Sequence, residues 1–130
     1  MKIVDGKIQV RANIGENILY ITYTGVIRRQ TIENAYTDVR FGVADLKPSF
    51  VVITDISQAR IAHLSGVATF QKIMSYLLDN GAGNLIQISE SHNLILKQLS
   101  RISDPIQGYR PIYVSSFAEA LKKLAEQKPA

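Results

Sequence analysis

The chain has 130 residues, of which 46% are hydrophobic and 20% charged, so it suits one globular domain with its own apolar core rather than a disordered segment. It contains no cysteine, which excludes disulfides, thiolate metal sites and cysteine nucleophiles. The net charge is +4, but the basic residues are spread along the chain and form no dense patch, so we expect no nucleic-acid interface.

The first part of the chain predicts a meander of strands. Asp5 and Gly6 are typical of a tight hairpin turn, because both positions of such a turn need a positive φ. Residues 7–12 alternate polar and apolar, as a half-buried edge strand does. Residues 15–17 predict a turn. The next strand, over 18–24, is apolar or aromatic on both faces and should lie further inside the sheet, with Gly25 ending it.

The middle of the chain alternates helices and strands. Apolar residues recur at helical spacing over 29–46, and Lys47-Pro48-Ser49 should stop that helix. Residues 50–56 predict a buried strand that ends at Asp55-Ile56-Ser57. A second helix is predicted over 65–80, with Gly81 as its left-handed stop.

The last part continues the alternation. Residues 85–88 predict a strand, Ser91 can cap a third helix, and residues 111–114 predict the last strand. Ser116 and Glu119 have the spacing of a capping box, in which each side chain accepts a hydrogen bond from the other residue's N–H. The closing helix should bury one apolar face: Phe117, Ala120, Leu121 and Leu124.

These elements predict one α/β domain over residues 1–130. An antiparallel N-terminal meander is followed by parallel strands joined by right-handed crossover helices, giving a mixed β-sheet with about four helices.

Few residues offer catalytic or metal chemistry. The chain has two histidines, His63 and His92, and no Gly-x-Ser-x-Gly nucleophile motif. A contact between His63 and Ser65 is sterically allowed, yet such a pair arises often by chance. Residues 81–84 follow a helix and precede a strand, so their glycines indicate a turn rather than a dinucleotide loop. His63 with Asp55 is the nearest approach to a metal pair, and we expect no enzyme activity, no metal and no cofactor.

Polar residues around the third predicted strand form the best candidate site. Asp55 and Ser57 should lie at the carboxyl end of a buried strand, where open α/β sheets bind ligands. The Asp55 carboxylate can also simply accept bonds from the backbone near Ser57. Ser65 and Gly66 open a helix, so Ser65 either caps it or marks an anion or phosphorylation site.

The segment Asp55-Ile56-Ser57 followed by His63-Leu64-Ser65-Gly66 resembles the central motif of STAS domains, the sulfate-transporter and anti-sigma-factor-antagonist fold. In that family a strand ends in Asp-Leu-Ser, and a loop leads to Asp-Ser-Ser/Thr-Gly at a helix start. Here His63 replaces the Asp and Leu64 replaces the phosphorylated serine. The chain also resembles divergent relatives of the stage II sporulation anti-sigma factor antagonist.

The resemblance implies a non-enzymatic STAS-like regulatory or protein-interaction module that lacks the usual phosphorylated serine. It implies a protein partner that contacts the loop and the helix start, and Ser65 becomes the remaining candidate for phosphorylation. The candidate partner- or anion-binding residues are Asp55, Ser57, His63, Ser65 and Gly66.

An alternative function follows from the similarity of these relatives to SEC14-type lipid-binding domains. The chain would then carry or sense a lipid or another apolar molecule between sheet and helices. The candidate lining residues are Tyr20, Tyr23, Tyr36, Phe70 and Met74. Self-association as a homodimer, through the edge strand or the hairpin, stays open.

The sequence also allows an expectation about where in the cell the protein lies. No run of ~18 apolar residues predicts a transmembrane helix, and residues 1–6 lack the apolar core of a signal peptide. We therefore expect the cytoplasm of a microbe, most simply a bacterium.

Overall fold

The computed structural model describes residues 6–62, 67–89 and 106–127. They form a five-stranded sheet and three helices, in agreement with the predicted α/β class. The elements in chain order are β1 (Lys7–Asn13), β2 (Ile18–Ile27), α1 (Arg29–Ala44), β3 (Val51–Ala62), α2 (Val67–Asp79), β4 (Leu85–Ile88), β5 (Ile112–Val114) and α3 (Phe117–Gln127). The predicted helix after Ser91 falls in 90–105, outside the described residues, so the expected count of four helices is not tested there.

The strands lie in the order β1-β2-β3-β4-β5. β1 pairs with β2 antiparallel, and every later pair is parallel, which confirms the predicted mixed sheet. Because β2, β3 and β4 are neighbours in sequence order, right-handed crossovers place α1 and α2 on the same face of the sheet. Among the helices of the described segments, none is long and apolar enough to cross a membrane.

Two apolar clusters lie on opposite faces of the sheet. The first, which we call the α1/α2 cluster, joins one face of β1–β4 to both helices. Its members include Leu19, Ile21, Val52, Ile56, Ile32, Val39, Ile73 and Leu77. The second, the α3 cluster, joins Ile18, Ile53, Ile86, Ile88 and Val114 to Ala120 and Leu124 of α3. β4 contributes to both faces, which is why all four of its residues are buried.

The strand prediction for β1 is confirmed, and the hairpin turn predicted at Asp5-Gly6 lies partly outside the described residues. β1 is an edge strand with alternating exposed and half-buried residues. Gly6 lies against β2, where its N–H donates to the Val26 carbonyl at 2.9 Å. A side chain there would meet the Val26 oxygen at 2.2 Å, so this glycine allows the close approach of the two strands. Asp5 lies outside the described residues.

β2 also runs past its predicted end. Gly25 lies inside the strand with φ of 74°, at an irregularity in the pairing with β3, and the strand continues to Ile27. The glycine therefore bends the strand instead of ending it. The hairpin turn between β1 and β2 is at 14–17, as predicted, with Asn17 at φ of 60°.

The helices begin and end close to their predicted bounds. α1 ends at Ala44, two residues before the predicted end. α2 ends at Asp79, and Gly81, two residues later, has a φ of 94°. Its N–H donates to the Leu78 carbonyl, and the Ala82 N–H donates to the Leu77 carbonyl. This pair of bonds is a Schellman motif, so the left-handed stop is confirmed.

α3 differs from its prediction in two ways. Ala120 and Leu124 are buried, but Phe117 and Leu121 are 47% and 41% exposed. The Ser116 hydroxyl accepts from the Glu119 N–H at 3.1 Å, which is half of the predicted capping box. The Glu119 carboxylate, however, accepts from the N–H and the hydroxyl of Ser115 at 3.0 and 2.7 Å, one residue before the predicted partner.

Candidate partner-binding site

Asp55 and Ser57 form a compact unit within β3. One Asp55 carboxylate oxygen accepts hydrogen bonds from the Ser57 N–H at 2.9 Å and the Ser57 hydroxyl at 2.6 Å. Both side chains are half-buried. An aspartate that bonds the backbone two residues on is a common local device, and it holds this backbone in one conformation.

The unit coincides with a bulge in β3. Thr22 pairs with Asp55 and Thr24 pairs with Gln58, so two β3 residues lie opposite the single residue Tyr23. A bulge of this kind leaves one residue unpaired in the hydrogen-bonding pattern of the two strands, and it changes the direction of the side chains around it. The Asp55 carboxylate replaces part of the lost pairing, because it accepts the Ser57 N–H.

The prediction that β3 ends at Asp55-Ile56-Ser57 is wrong, although these residues do mark the end of a neighbouring strand. β3 continues to Ala62 by pairing with β2. Its pairing with β4 stops at Asp55, opposite Ile88, the last residue of β4. Asp55 therefore lies at the carboxyl end of the parallel β3–β4 pair, on the sheet face that also carries Thr22.

His63, Ser65 and Gly66 lie outside the described residues, between the end of β3 at Ala62 and the start of α2 at Val67. Their roles, including phosphorylation of Ser65, remain predictions.

Of the five residues predicted to line one apolar pocket, the four whose side chains are described do not all lie on one face of the sheet. Tyr23 and Met74 belong to the α1/α2 cluster, and Tyr36 packs at its border, edge-on to Tyr76 at 5.9 Å between ring centres. Tyr20 packs against the α3 cluster on the opposite face of the sheet. The Phe70 side chain is not among those described.

Tyr23 and Met74 instead border a cavity of about 10 Å³. Thr54, Gln87 and Tyr109 also line it and bring polar atoms to its wall. This volume holds about one water molecule, whereas small-molecule pockets measure roughly 300–1,000 Å³. Tyr109, Thr54 and Gln87 were not predicted as lining residues, because their position depends on which strands become neighbours.

The two tyrosines at this cavity do not act as bases near neutral pH. Burial, with a contribution from neighbouring Tyr109, raises the pKa of Tyr23 far above its ordinary value. Burial, with a contribution from Tyr113, raises the pKa of Tyr109 to about 12. Both phenols are therefore protonated at physiological pH. The parts of the chain that are described also contain no cluster of three metal-ligating side chains.

One polar and aromatic surface was missed entirely by the sequence reasoning. The Arg11 guanidinium lies 5.0 Å from the centre of the Tyr20 ring, and Tyr20 lies 6.1 Å from Phe117. The cross-strand pairing of Arg11 with Tyr20 creates the first contact, and the position of α3 creates the second. Neither follows from local sequence spacing.

Comparison with solved structures places this architecture among anti-sigma factor antagonists. The unphosphorylated form of the anti-sigma factor antagonist SpoIIAA matches with a TM-score of 0.64 and 12% identity, covering 93% of this chain and 99% of that one. The phosphorylated form of SpoIIAA from Bacillus matches with a TM-score of 0.61 and 13% identity, covering 90% and 98%. An uncharacterised protein with a SpoIIAA-like fold, from Shewanella loihica PV-4, matches with a TM-score of 0.70 and 14% identity, covering 95% and 97%.

These similarities confirm the predicted fold: the chain has the architecture of a divergent STAS-like domain. The sequence itself has diverged further than the fold. No protein-family model matches it, and no curated protein sequence matches it either.

Proposed function

We propose that this chain is a regulatory protein-interaction module without catalytic activity, acting in the cytoplasm of a bacterium. The observation that carries the proposal is the shared fold with an anti-sigma factor antagonist, which spans at least 90% of both chains. That protein was solved in a phosphorylated and an unphosphorylated form. The proposal extends this likeness of fold by analogy, and the substitutions described below test it at the level of individual residues.

The partner-binding surface that we propose begins at the carboxyl end of the β3–β4 pair and includes His63, Ser65 and Gly66. Asp55 and Ser57 support it from β3, because their mutual hydrogen bonds hold the strand where β4 ends. Leu64 has no hydroxyl, so a phosphate-dependent switch at that position is chemically excluded. Ser65 is the neighbouring hydroxyl that could take over such regulation.

The lipid-carrier alternative receives less support. Tyr20 and Tyr23 lie on opposite faces of the sheet, and the cavity beside Tyr23 has only about 10 Å³. A lipid chain would have to displace residues of the α1/α2 cluster, and close-packed cores resist such displacement.

The proposal is tested by quantitative recovery of partners from the native host with the tagged full chain. Ser65→Glu and His63→Ala should each reduce recovery of at least one specific partner several-fold. Thr37→Glu is the matched control, because it adds the same charge on the exposed side of α1. If the wild type, the two site variants and the control all recover every partner equally, the proposed surface is wrong.

Native mass spectrometry of the protein from its own host separates the remaining alternatives. An added mass of about 80 Da that maps to Ser65 indicates phosphorylation. A lipid-sized added mass supports the carrier function instead. A bare chain favours an interaction module that is not regulated by phosphate.

A further inference from the structure

A groove crosses the sheet face that carries α3. α3 packs over β4 and β5, and its first residue, Phe117, contacts Tyr20 of β2. Beside this contact the face of β1 and β2 forms an open groove of about 510 Å³. Its lining residues are Gln9, Val10, Arg11, Tyr20, Thr22 and Phe117. The volume is in the range of ligand and side-chain pockets.

The charge of the groove comes from Arg11. Its guanidinium carbon lies 5.0 Å from the centre of the Tyr20 ring, within the range of a cation–π contact, and such a contact leaves the guanidinium N–H groups available to a ligand. Lys7 lies on the same side of β1 and is exposed. In the described segments the ion pairs are made by Arg29 and Lys123, and neither pair includes Arg11.

Two carboxylates of the described residues belong to this side of the sheet, and neither lines the groove. Asp55, on the same face of the sheet, accepts two hydrogen bonds from Ser57. Glu119 of α3 accepts two from Ser115. The groove therefore presents positive charge without a lining carboxylate.

An apolar ridge borders the groove. Phe117 and Leu121 are one helical turn apart on α3 and are 47% and 41% exposed. Phe117 and Tyr20 both line the groove and form an aromatic wall beside the Arg11 cation. Aromatic residues and arginine are the residue types that contribute most to binding in protein interfaces.

We propose that this groove binds an acidic segment of a partner protein that carries a large apolar side chain. The carboxylates would bind the Arg11 guanidinium edge and the Lys7 ammonium, and the apolar side chain would pack against Tyr20 and Phe117. The positive charge without a lining carboxylate selects an acidic ligand, and the aromatic wall selects one with an apolar anchor.

Two other occupants fit less well. Antiparallel pairing of β1 with a second copy, centred near Gln9, would bring Lys7 of one copy opposite Arg11 of the other, and like charges directly opposite destabilise a strand pair. A nucleic acid would gain little from two cations, because its affinity grows with the number of phosphates that are neutralised.

The surface is formed by β1, β2 and the start of α3 and does not depend on the function proposed above. The test is an NMR titration of the purified full chain with a random glutamate–tyrosine copolymer. Saturable shifts should concentrate in β1, β2 and the start of α3. Arg11→Gln and Phe117→Ala should each weaken binding by about 5- to 10-fold.

Matched controls exist on α1. Arg40 lies 5.8 Å from the Tyr36 ring and Phe41 is 73% exposed, so Arg40→Gln and Phe41→Ala remove the same groups from another face. Both controls, and Ser65→Glu, should bind the copolymer as the wild type does. Absence of saturable binding, equal weakening by the controls, or comparable binding of polyuridylate at the same residues would overturn the proposal. Self-association through β1 in sedimentation experiments would overturn it as well.

Discussion

Asn17 shows how one side chain can join two distant loops. Its carboxamide oxygen accepts from the Lys47 N–H at 2.8 Å, and its amide nitrogen donates to the Lys47 carbonyl at 3.2 Å. Its own carbonyl accepts from the Val51 N–H at 3.1 Å. The β1–β2 turn is thereby tied to the segment that leads into β3. Asparagine also tolerates the left-handed φ of 60° at this position better than most residues.

Asn17→Ala should lower the free energy of unfolding by about 1–2 kcal/mol, because it removes both side-chain bonds and leaves an unfavourable φ. Asn17→Gly removes the bonds and relieves the φ, so it should cost less. Urea unfolding of the two variants measures each contribution. Asn13→Ala is the control, since it loses a single local bond to the Glu16 N–H. Equal stability of Asn17→Ala and wild type would contradict this role of Asn17.

At the scale of elements, the bulge of β3 depends on one carboxylate. Asp55→Ala should lower the free energy of unfolding by about 1–3 kcal/mol, because the half-buried Ser57 N–H and hydroxyl both lose their acceptor. Ser57→Ala should cost less, as it removes only the hydroxyl bond. Asp38→Ala, on the exposed side of α1, removes a carboxylate with a change within about 0.5 kcal/mol.

A double-mutant cycle of Asp55→Ala with Ser57→Ala measures their coupling in urea unfolding. The two losses should add to more than the loss in the double variant, because both single changes break the same hydroxyl bond. Strict additivity would show that the two side chains do not interact in solution.

The start of α3 should respond to acid. The Ser115 N–H, followed by its hydroxyl and by Lys123 and Lys122, lowers the pKa of Glu119 below its ordinary value. A carboxyl whose pKa is lower in the folded than in the unfolded state stabilises the fold above its unfolded pKa. That contribution is lost as the pH falls through the folded pKa.

NMR titration of the Glu119 carboxyl should therefore give a midpoint below that of the same residue in an unfolded peptide. Glu119→Gln keeps an acceptor for Ser115 but removes this acid dependence of α3. Glu126→Gln removes the same charge from the same helix without bonds to Ser115, and it should leave the Glu119 midpoint in place. A Glu119 midpoint equal to the peptide value would contradict the observed cap.

At the scale of the whole molecule, the sheet separates two apolar clusters. Leu77 lies in the α1/α2 cluster and Leu124 in the α3 cluster, and both are buried. Leu77→Ala should lower the free energy of unfolding by about 2–5 kcal/mol. The loss for Leu124→Ala should lie near the lower end of that range. The double variant should lose about the sum, because the two sites share no contacts.

Thermal or urea unfolding of the four proteins checks this additivity. Leu121→Ala is the control on α3, because a leucine that is 41% exposed loses little burial on truncation. A loss in the double variant far from the sum would show that the two faces of the sheet are coupled.

The accuracy of the sequence predictions depended on how local each feature is. The alternation in β1 and the left-handed stop at Gly81 are decided by neighbouring residues, and both are confirmed. The prediction that Gly25 ends β2 is wrong, because pairing with β3 continues the strand to Ile27. The expected burial of Phe117 and Leu121 also failed, since helical periodicity defines a face without showing how much of it the sheet covers.

The same rule applies to the candidate site: a contact between neighbouring residues was predicted, whereas a feature that depends on strand pairing was not. The Asp55–Ser57 contact spans two residues and was expected as one of two alternatives, whereas the length of β3 depends on its pairing with β2 beyond the end of β4. Tyr20 and Tyr23, three residues apart on one strand, point to opposite faces of the sheet, so these two predicted lining residues do not border the same space.

By itself, the sequence determined the α/β class, the order of the strands and helices, and the resemblance to STAS domains. Periodicity, turn residues and a short motif are properties of neighbouring residues, and they persist in the folded chain. Only the tertiary structure decided where β3 ends, which face each tyrosine joins, and that Arg11, Tyr20 and Phe117 meet around one groove. These features require residues that are up to about a hundred positions apart to become neighbours, and strand register and helix packing alone bring them together.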